Sequence, residues 1–231
     1  EKENMSEAQL ADLETFKEMT KAAHRADKAR KGKVVQFKMA YDIAMQYKDF
    51  EKFHYVYTAD FRGRIYAATT GLSPQGNDTS KALLQFANGK EVTRSGLFWL
   101  AVHGANTFGH DKVSYEERVQ WVHDNEEIYR RVESDPIGFR DDWACADKPW
   151  QYLAFIFAWA ETSFGEDASA KTYIPIGLDG SCNGLQHYSA LLRDSIGGRG
   201  VNLINSDVPA DIYQDVSDRL KWNLGQLGSD Q

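Results

Sequence analysis

Residues 174–194 read IPIGLDGSCNGLQHYSALLRD, and the fold turns on them. The apolar run YIPIGL, residues 173–178, suits a buried strand, while Leu185, Tyr188 and Leu192 recur on one face of a following helix. Asp179 therefore falls at a strand-turn-helix corner, beside the small residues Gly180 and Ser181. Two readings of its carboxylate are open. It can cap the helix by accepting hydrogen bonds from free backbone N–H groups. Alternatively, a carboxylate on a rigid strand end, with room beside it, can hold a hydrated divalent cation that bridges substrate phosphates. Hard oxygen ligands of this kind suit magnesium.

The stretch from Ser6 to Phe50 is helical in pattern: Leu10, Leu13 and Phe16, then Phe37, Tyr41 and Ala44, recur at three and four residues. Gly32 lies between the two sets and predicts two helices. FHYVYTADFRGRIYAATT, residues 53–70, is rich in aromatic and β-branched residues on both sides of Arg62-Gly63, which predicts a hairpin. Helices are expected again at Thr79–Ala87, with Gly89 as a stop, and at about Thr93–His103. Ser114 and Glu117 form a capping-box pattern opening the charged helix YEERVQWVHDNEEIYRRV. Pro149 starts WQYLAFIFAWAETSF, apolar on nearly every face, so its aromatics read as core packing rather than a ligand platform. The order predicts a helix-rich α+β chain.

With 231 residues, 42% of them apolar and 13% aromatic, the chain can bury a substantial core. It has no run of eighteen apolar residues, and EKENMSEAQLADLE at its start is acidic and polar, unlike a signal peptide. The expectation is a soluble cytoplasmic protein without a membrane partner. Two cysteines, Cys145 and Cys182, build neither a disulfide framework nor a four-ligand zinc site. The net charge of -7 weighs against a nucleic-acid partner on average. Charge is segregated, however: residues 21–33 carry six Lys and Arg against Asp27 alone, whereas residues 111–142 carry ten acids against five bases. By itself the basic run reads equally as a solvated helix face or a phosphate-binding surface.

Rival chemistries fail on the same residues. Ser181 is not in a G-x-S-x-G elbow, because Asp179 stands two residues before it. GLSPQGNDTSK has Gly71 and Gly76 at Walker spacing, but Asn77 and Asp78 replace the required Lys and Ser/Thr. Cys182 and His187 have no further Cys-His pair to complete a zinc site. The residues alone thus support a candidate magnesium-phosphate site.

LDGSCNGLQHYSALLRD, residues 178–194, closely resembles motif A of the single-subunit, bacteriophage-type RNA polymerases, and ADFRGRIY, residues 59–66, resembles their D-x-x-G-R motif. SPQGNDTSKALL, HGANTFGHDKVSYEERVQW and GGRGVNLINSDVPADIYQ match in the same order, so the resemblance runs from about Ala22 to Tyr213. It implies part of a right-hand polymerase making RNA on a DNA template with two magnesium ions. Asp179 matches the aspartate that binds both metals, and Gly180 the residue whose carbonyl completes the coordination. Asp60, Arg62, Gly63 and Arg64 match the element that contacts template and RNA–DNA hybrid. Arg62 and Arg64 can hold phosphates, while Gly63 lets the backbone turn and approach closely. The basic run, with Arg25, Lys28, Arg30 and Lys31, falls where such enzymes pass from thumb to palm, which favours phosphate contact.

The resemblance divides the chain into the end of the thumb (1–50), first part of the palm (51–92), a helical palm insertion (93–169), palm with motif A (170–195) and the start of the fingers (196–231). Counterparts of motif B and of motif C, with the second metal-binding aspartate, would fall beyond Gln231, so an internal section, inactive alone, is expected. Implied partners are DNA template and promoter, nascent RNA and ribonucleoside triphosphates, in an enzyme monomeric at full length and at work in the cytoplasm, that of the host if phage-encoded. Two other readings remain: a template-directed DNA polymerase of the same superfamily, and a non-catalytic nucleic-acid-binding module.

Overall fold

The computed structural model describes residues 6–206 and 209–229. Asp207 and Val208, inside the GGRGVNLINSDVPADIYQ match, lie outside the described residues, as do residues 1–5 and 230–231 of the expected thumb and fingers. The chain divides between Ala87 and Asn88 into two compact units. Among the described residues no helix is long and apolar enough to cross a membrane.

The first unit is built on α1, Glu7–Tyr47. Its start is fixed by a capping box in which Ser6 Oγ accepts from Gln9 N–H and Gln9 Oε1 accepts from Ser6 N–H. The two expected helices are one, continuous for 41 residues through Gly32. A lone glycine in a helix interior costs only about 1 kcal/mol, and the Lys, Arg, Ala and Gln around it are good helix formers, so the backbone hydrogen bonds carry on. Strands β1 (Tyr57–Ala59) and β2 (Ile65–Ala67) form the expected antiparallel hairpin, with Thr58 opposite Tyr66. The Gln75 carboxamide lies on β2 as a further strand residue would, accepting from Ala67 N–H at 2.9 Å and donating to the Ile65 carbonyl at 2.8 Å. The next helix, α2, is only Asp78–Ala82 rather than Thr79–Ala87. Asn77 caps it and reaches back to Gln36 on α1 at 3.3 Å.

The second unit has a helical core. Two-residue strands β3 (Lys90–Glu91) and β4 (Lys171–Thr172) pair antiparallel at its edge. Between them run α3 (Thr93–Phe108), α4 (Tyr115–Asp124), α5 (Glu126–Ser134), α6 (Arg140–Ala144) and α7 (Pro149–Glu161). Helix α7 is central: Tyr152, Phe155, Ile156 and Trp159 bury against Leu100 and Ala105 of α3, Val122 of α4 and Tyr129 and Val132 of α5. Its sequence had marked it as buried. Helix α3 runs past the expected end at His103 to Gly109, whose φ of 110° ends it. It can lie this close to α7 because Gly104 faces Phe155, and a Cβ there would run into the ring. The Ser114–Glu117 capping box forms as expected, but the charged helix breaks into α4 and α5 at Asn125, which donates from Nδ2 to the Trp121 carbonyl at 2.7 Å.

Three helices follow: α8 (Asn183–Leu192), α9 (Ser195–Gly200) and α10 (Ile212–Ser229). The strand expected at residues 173–178 does not form. Ile174 and Ile176 pack on the core and Leu178 is 80% exposed, but among the described residues no strand lies beside the segment. Pro175 also lacks an N–H for such a ladder. The expected inward face of α8 is displaced too: Tyr188 and Leu192 are exposed, and it is Ser189 that buries, against Gly197 of α9.

Candidate active site and nucleic-acid interface

Asp179 directly follows residues 173–178. Ile174 and Ile176 are held by the core, so the chain reaches the turn from an anchored base. One carboxylate oxygen, Oδ1, accepts from Gly180 N–H at 2.9 Å, and Oδ2 has no hydrogen bond among the described residues. The helix-cap reading of Asp179 is overturned. The residue preceding α8 is Cys182, left-handed at φ 54°, and no side chain caps that helix. Asp179 instead faces solvent. The turn is tight: a Cβ on Gly180 would lie 2.9 Å from Asn183 Oδ1 and 3.3 Å from Gln186 Oε1.

Sequence reasoning gave no role to two neighbours of this turn. Gln186, on the first turn of α8, donates from Nε2 to the Val201 carbonyl at 2.8 Å and so pins the helix start. Tyr213, on the first turn of α10, lies against the turn: its hydrogen bond with the Cys182 thiol, and then that thiol's own potential, raise the phenol above its usual value. Burial, Asp179 and Asp211 raise it further. Gln186 lies within the quoted residues 178–194, whereas Tyr213, within the quoted GGRGVNLINSDVPADIYQ match, is brought to the turn by tertiary structure.

The second predicted cluster is the turn of the β1–β2 hairpin. Asp60 organises it from within: Oδ1 accepts from Arg62 N–H at 2.8 Å and Arg64 N–H at 3.0 Å, and Oδ2 from Arg62 Nε at 3.1 Å. The Arg64 N–H bond is the largest influence holding the Asp60 carboxyl below its ordinary value, with the Arg62 bonds and Tyr66 helping. Gly63 takes φ 76°, which only glycine adopts without strain. The outcome is that Phe61 stands almost wholly exposed, with the Arg62 guanidinium 5.6 Å from its ring centre. Arg62 is also paired with Asp60 at 3.0 Å. Arg64 has no carboxylate partner among the described residues.

The predicted phosphate-binding cations lie along one exposed stretch of α1. They are not equivalent. Arg30 and Lys31 both pair with Asp27 at 2.8 Å, and these two, Lys31 foremost, hold the Asp27 carboxyl below its usual value. Arg25 and Lys28 have no ion pair among the described residues. Asp60, Arg62, Gly63, Arg64 and this cationic stretch belong to the first unit, and Asp179 and Gly180 to the second.

Among the described residues no group of three His, Cys, Asp or Glu side chains gathers for a metal ion. The donors at the Asp179 turn are nonetheless hard oxygens, the free Oδ2 and the carbonyl of Gly180, which fit magnesium in kind while supplying one carboxylate.

Comparison with known proteins gives the family. A family model described as DNA-dependent RNA polymerase matches residues 90–227, which include Asp179, Gly180, Gln186 and Tyr213. T7 RNA polymerase of Escherichia phage T7 is 38% identical over 201 residues, covering 87% of this chain and 22% of that protein. The DNA-directed RNA polymerase of Enterobacteria phage K11 is 38% identical over 205 residues, 89% of this chain and 22% of its own. The mitochondrial DNA-directed RNA polymerase of Neurospora crassa is 41% identical over 177 residues, 76% of this chain and 12% of its own. The chain thus spans about a fifth of the length of the phage relatives it matches. These relatives favour neither a DNA polymerase nor a non-catalytic binding module.

Proposed function

Because this chain belongs to the family of DNA-dependent RNA polymerases, we propose that it is a section of an enzyme that copies a DNA template into RNA by nucleotidyl transfer. The observation that carries this reading is Asp179: an exposed carboxylate with one oxygen free, on a turn anchored to a helical core, inside the region the family matches. The family implies a divalent metal. Asp179 and the Gly180 carbonyl would hold it, as magnesium and as two ions, with further ligands supplied by the rest of the enzyme. When bound, the ions stabilise charge on the attacking and leaving oxygens of the phosphoryl transfer. The chain's own contribution is placement: Ile174 and Ile176 fix the approach to the turn, and the bond from Gly180 N–H orients the carboxylate.

In the same reading the units are parts of a right hand: residues 1–50 end the thumb, 51–92 and 170–195 are palm, 93–169 insert into it, and 196–231 begin the fingers. Arg64, free of acid partners, holds template or hybrid phosphate, with Arg62 beside it, while Asp60 and Gly63 shape their turn. Arg25 and Lys28, with Arg30 and Lys31 once drawn from Asp27, contact phosphates along α1. DNA template and promoter, nascent RNA and ribonucleoside triphosphates are the partners, the whole enzyme works as a monomer in the cytoplasm, and the 231-residue chain alone does not join nucleotides.

The test is Asp179→Asn in the full polypeptide that carries this sequence. Templated extension of an RNA primer should fall by at least a hundredfold while template binding and folding persist, because the substitution removes the ligand's charge and little else. Near-normal extension by the folded variant would refute the assignment.

A further inference from the structure

Residues that touch neither metal nor substrate can still set where a metal ligand points, and one such residue stands out beside Asp179. Asn202 lies 21 residues beyond Ser181, in the loop between α9 and α10, with a left-handed φ of 58° that asparagine tolerates better than most residues. Its carboxamide is fully engaged. Oδ1 accepts from Ala210 N–H at 2.7 Å, and Nδ2 donates to the Ala210 carbonyl at 2.9 Å and to Ser181 Oγ at 3.1 Å. The side chain therefore pairs with both backbone groups of Ala210, one residue before the Asp211 carboxylate that receives the N–H groups of Tyr213 and Gln214 at the start of α10. Its remaining donor goes to the residue two positions after Asp179.

The neighbouring residue works on the other end of the same turn. Val201, fully buried, offers its carbonyl to Gln186 Nε2 at 2.8 Å. Two consecutive residues, Val201 and Asn202, thus hold the turn at Gln186 and at Ser181. That support matters because the turn has little of its own: Asp179 has one local hydrogen bond, α8 starts without a side-chain cap, and Leu178 is exposed.

We infer that Asn202 is a positioning residue for Asp179, clamping the Ser181 side of the turn to the start of α10 so that the carboxylate keeps one orientation before metal arrives. The inference rests on the reading of Asp179 as a metal ligand. The clamp needs an acceptor and two donors on one short side chain, which asparagine provides: aspartate keeps only the acceptor, and alanine keeps nothing. Residues that orient a metal's ligands typically contribute about 10–100-fold in metal affinity or activity.

The experiment uses the full polypeptide and Mn²⁺ as the probe, titrated by electron paramagnetic resonance without nucleotide or template. Asn202→Ala should weaken Mn²⁺ binding by at least tenfold. In the metal-free protein it should also speed amide exchange at residues 178–186 and leave α3 and α7 unchanged. Raising the metal concentration should restore most of its extension rate, and Asn202→Asp should behave like Asn202→Ala. Unchanged Mn²⁺ affinity in Asn202→Ala, or faster exchange spread equally over α3 and α7, overturns the inference. Should Asn202→Ala not fold, Ser181→Ala decides, since it removes only the bond across the turn: at least threefold weaker Mn²⁺ binding supports the clamp, and unchanged binding refutes it. Asp179→Asn in the same titration separates the two layers. If it binds Mn²⁺ normally, the metal-ligand reading fails; if it loses Mn²⁺ while Asn202→Ala does not, only the clamp fails.

Discussion

Acid should loosen the core of the second unit through one residue, His103. It sits on α3, 6% exposed among the side chains that α3 presents to the interior. Burial first, and the Lys148 ammonium second, push its imidazole down to about 4 from an ordinary 6.5. The unfolded chain therefore binds a proton that the folded chain refuses across that window. Because stability rises with pH wherever the unfolded state binds more protons, it must fall as pH drops from about 6.5 towards 4. At about 1.4 kcal/mol per pH unit, the loss between pH 7 and pH 5 is about 2 kcal/mol. Carboxylates held below their ordinary values, such as Asp27, Asp60, Glu117 and Asp167, add their own losses only at lower pH, which keeps the upper window clean. Amide exchange along α3 and α7 in the intact protein, corrected for the intrinsic pH dependence of exchange, reads the opening free energy directly. His103→Gln should flatten its slope between pH 5 and 7. A flat profile in the unaltered protein, or an equal slope in His103→Gln, would rule out His103 as the source of the acid sensitivity.

The close passage of α3 over α7 makes Gly104→Ala an overpacking substitution against Phe155, expected to cost about 1–3 kcal/mol and to be visible as faster exchange in both helices. On α1, replacing Arg25 and Lys28 by alanine should lower the salt slope of template binding by about one unit for each lost contact, measured by fluorescence anisotropy over a range of salt. Replacing Arg30 and Lys31 should lower it less, because Asp27 already neutralises part of their charge. Equal effects from the two pairs would contradict that ranking.

Local signals survived into the structure where the responsible atoms are close in sequence. The Ser114–Glu117 capping box, the hairpin turning through Gly63 and the buried helix begun by Pro149 are each decided within a few residues. Gly32 misled because a glycine's cost is small beside the hydrogen bonds of a long helix. At residues 173–178 the apolar run reported a segment that meets the core, as Ile174 and Ile176 do, yet a strand also needs a partner along its edge, and no window of sequence reports one. The surroundings of Asp179 were illegible for the same reason. Asn202 and Tyr213 reach it only through the packing of α8, α9 and α10, and Ser189 takes the buried position on α8 because the glycines of α9 admit a close approach.

The net charge of -7 raises the same point in electrostatic form, since a chain-wide sum counts charges that are already spent. In the second unit Arg118 is buried, its guanidinium donating to the carbonyls of Asp111 and Val113 and to Asn106 Oδ1, so it ties a loop and offers nothing to solvent. Arg131 forms two bonds to Asp142, both at 2.8 Å, and the Arg130 guanidinium stacks 4.0 Å from the Phe164 ring while pairing with Glu126. In the first unit Arg25, Lys28 and Arg64 have no such partners among the described residues. Phosphate attraction is set by the potential within roughly 8–10 Å, the Debye length, so an acidic chain can present a cationic surface where its unpaired bases lie together. The sign of a sequence's charge therefore decides less about a nucleic-acid partner than which cations the fold leaves unpaired.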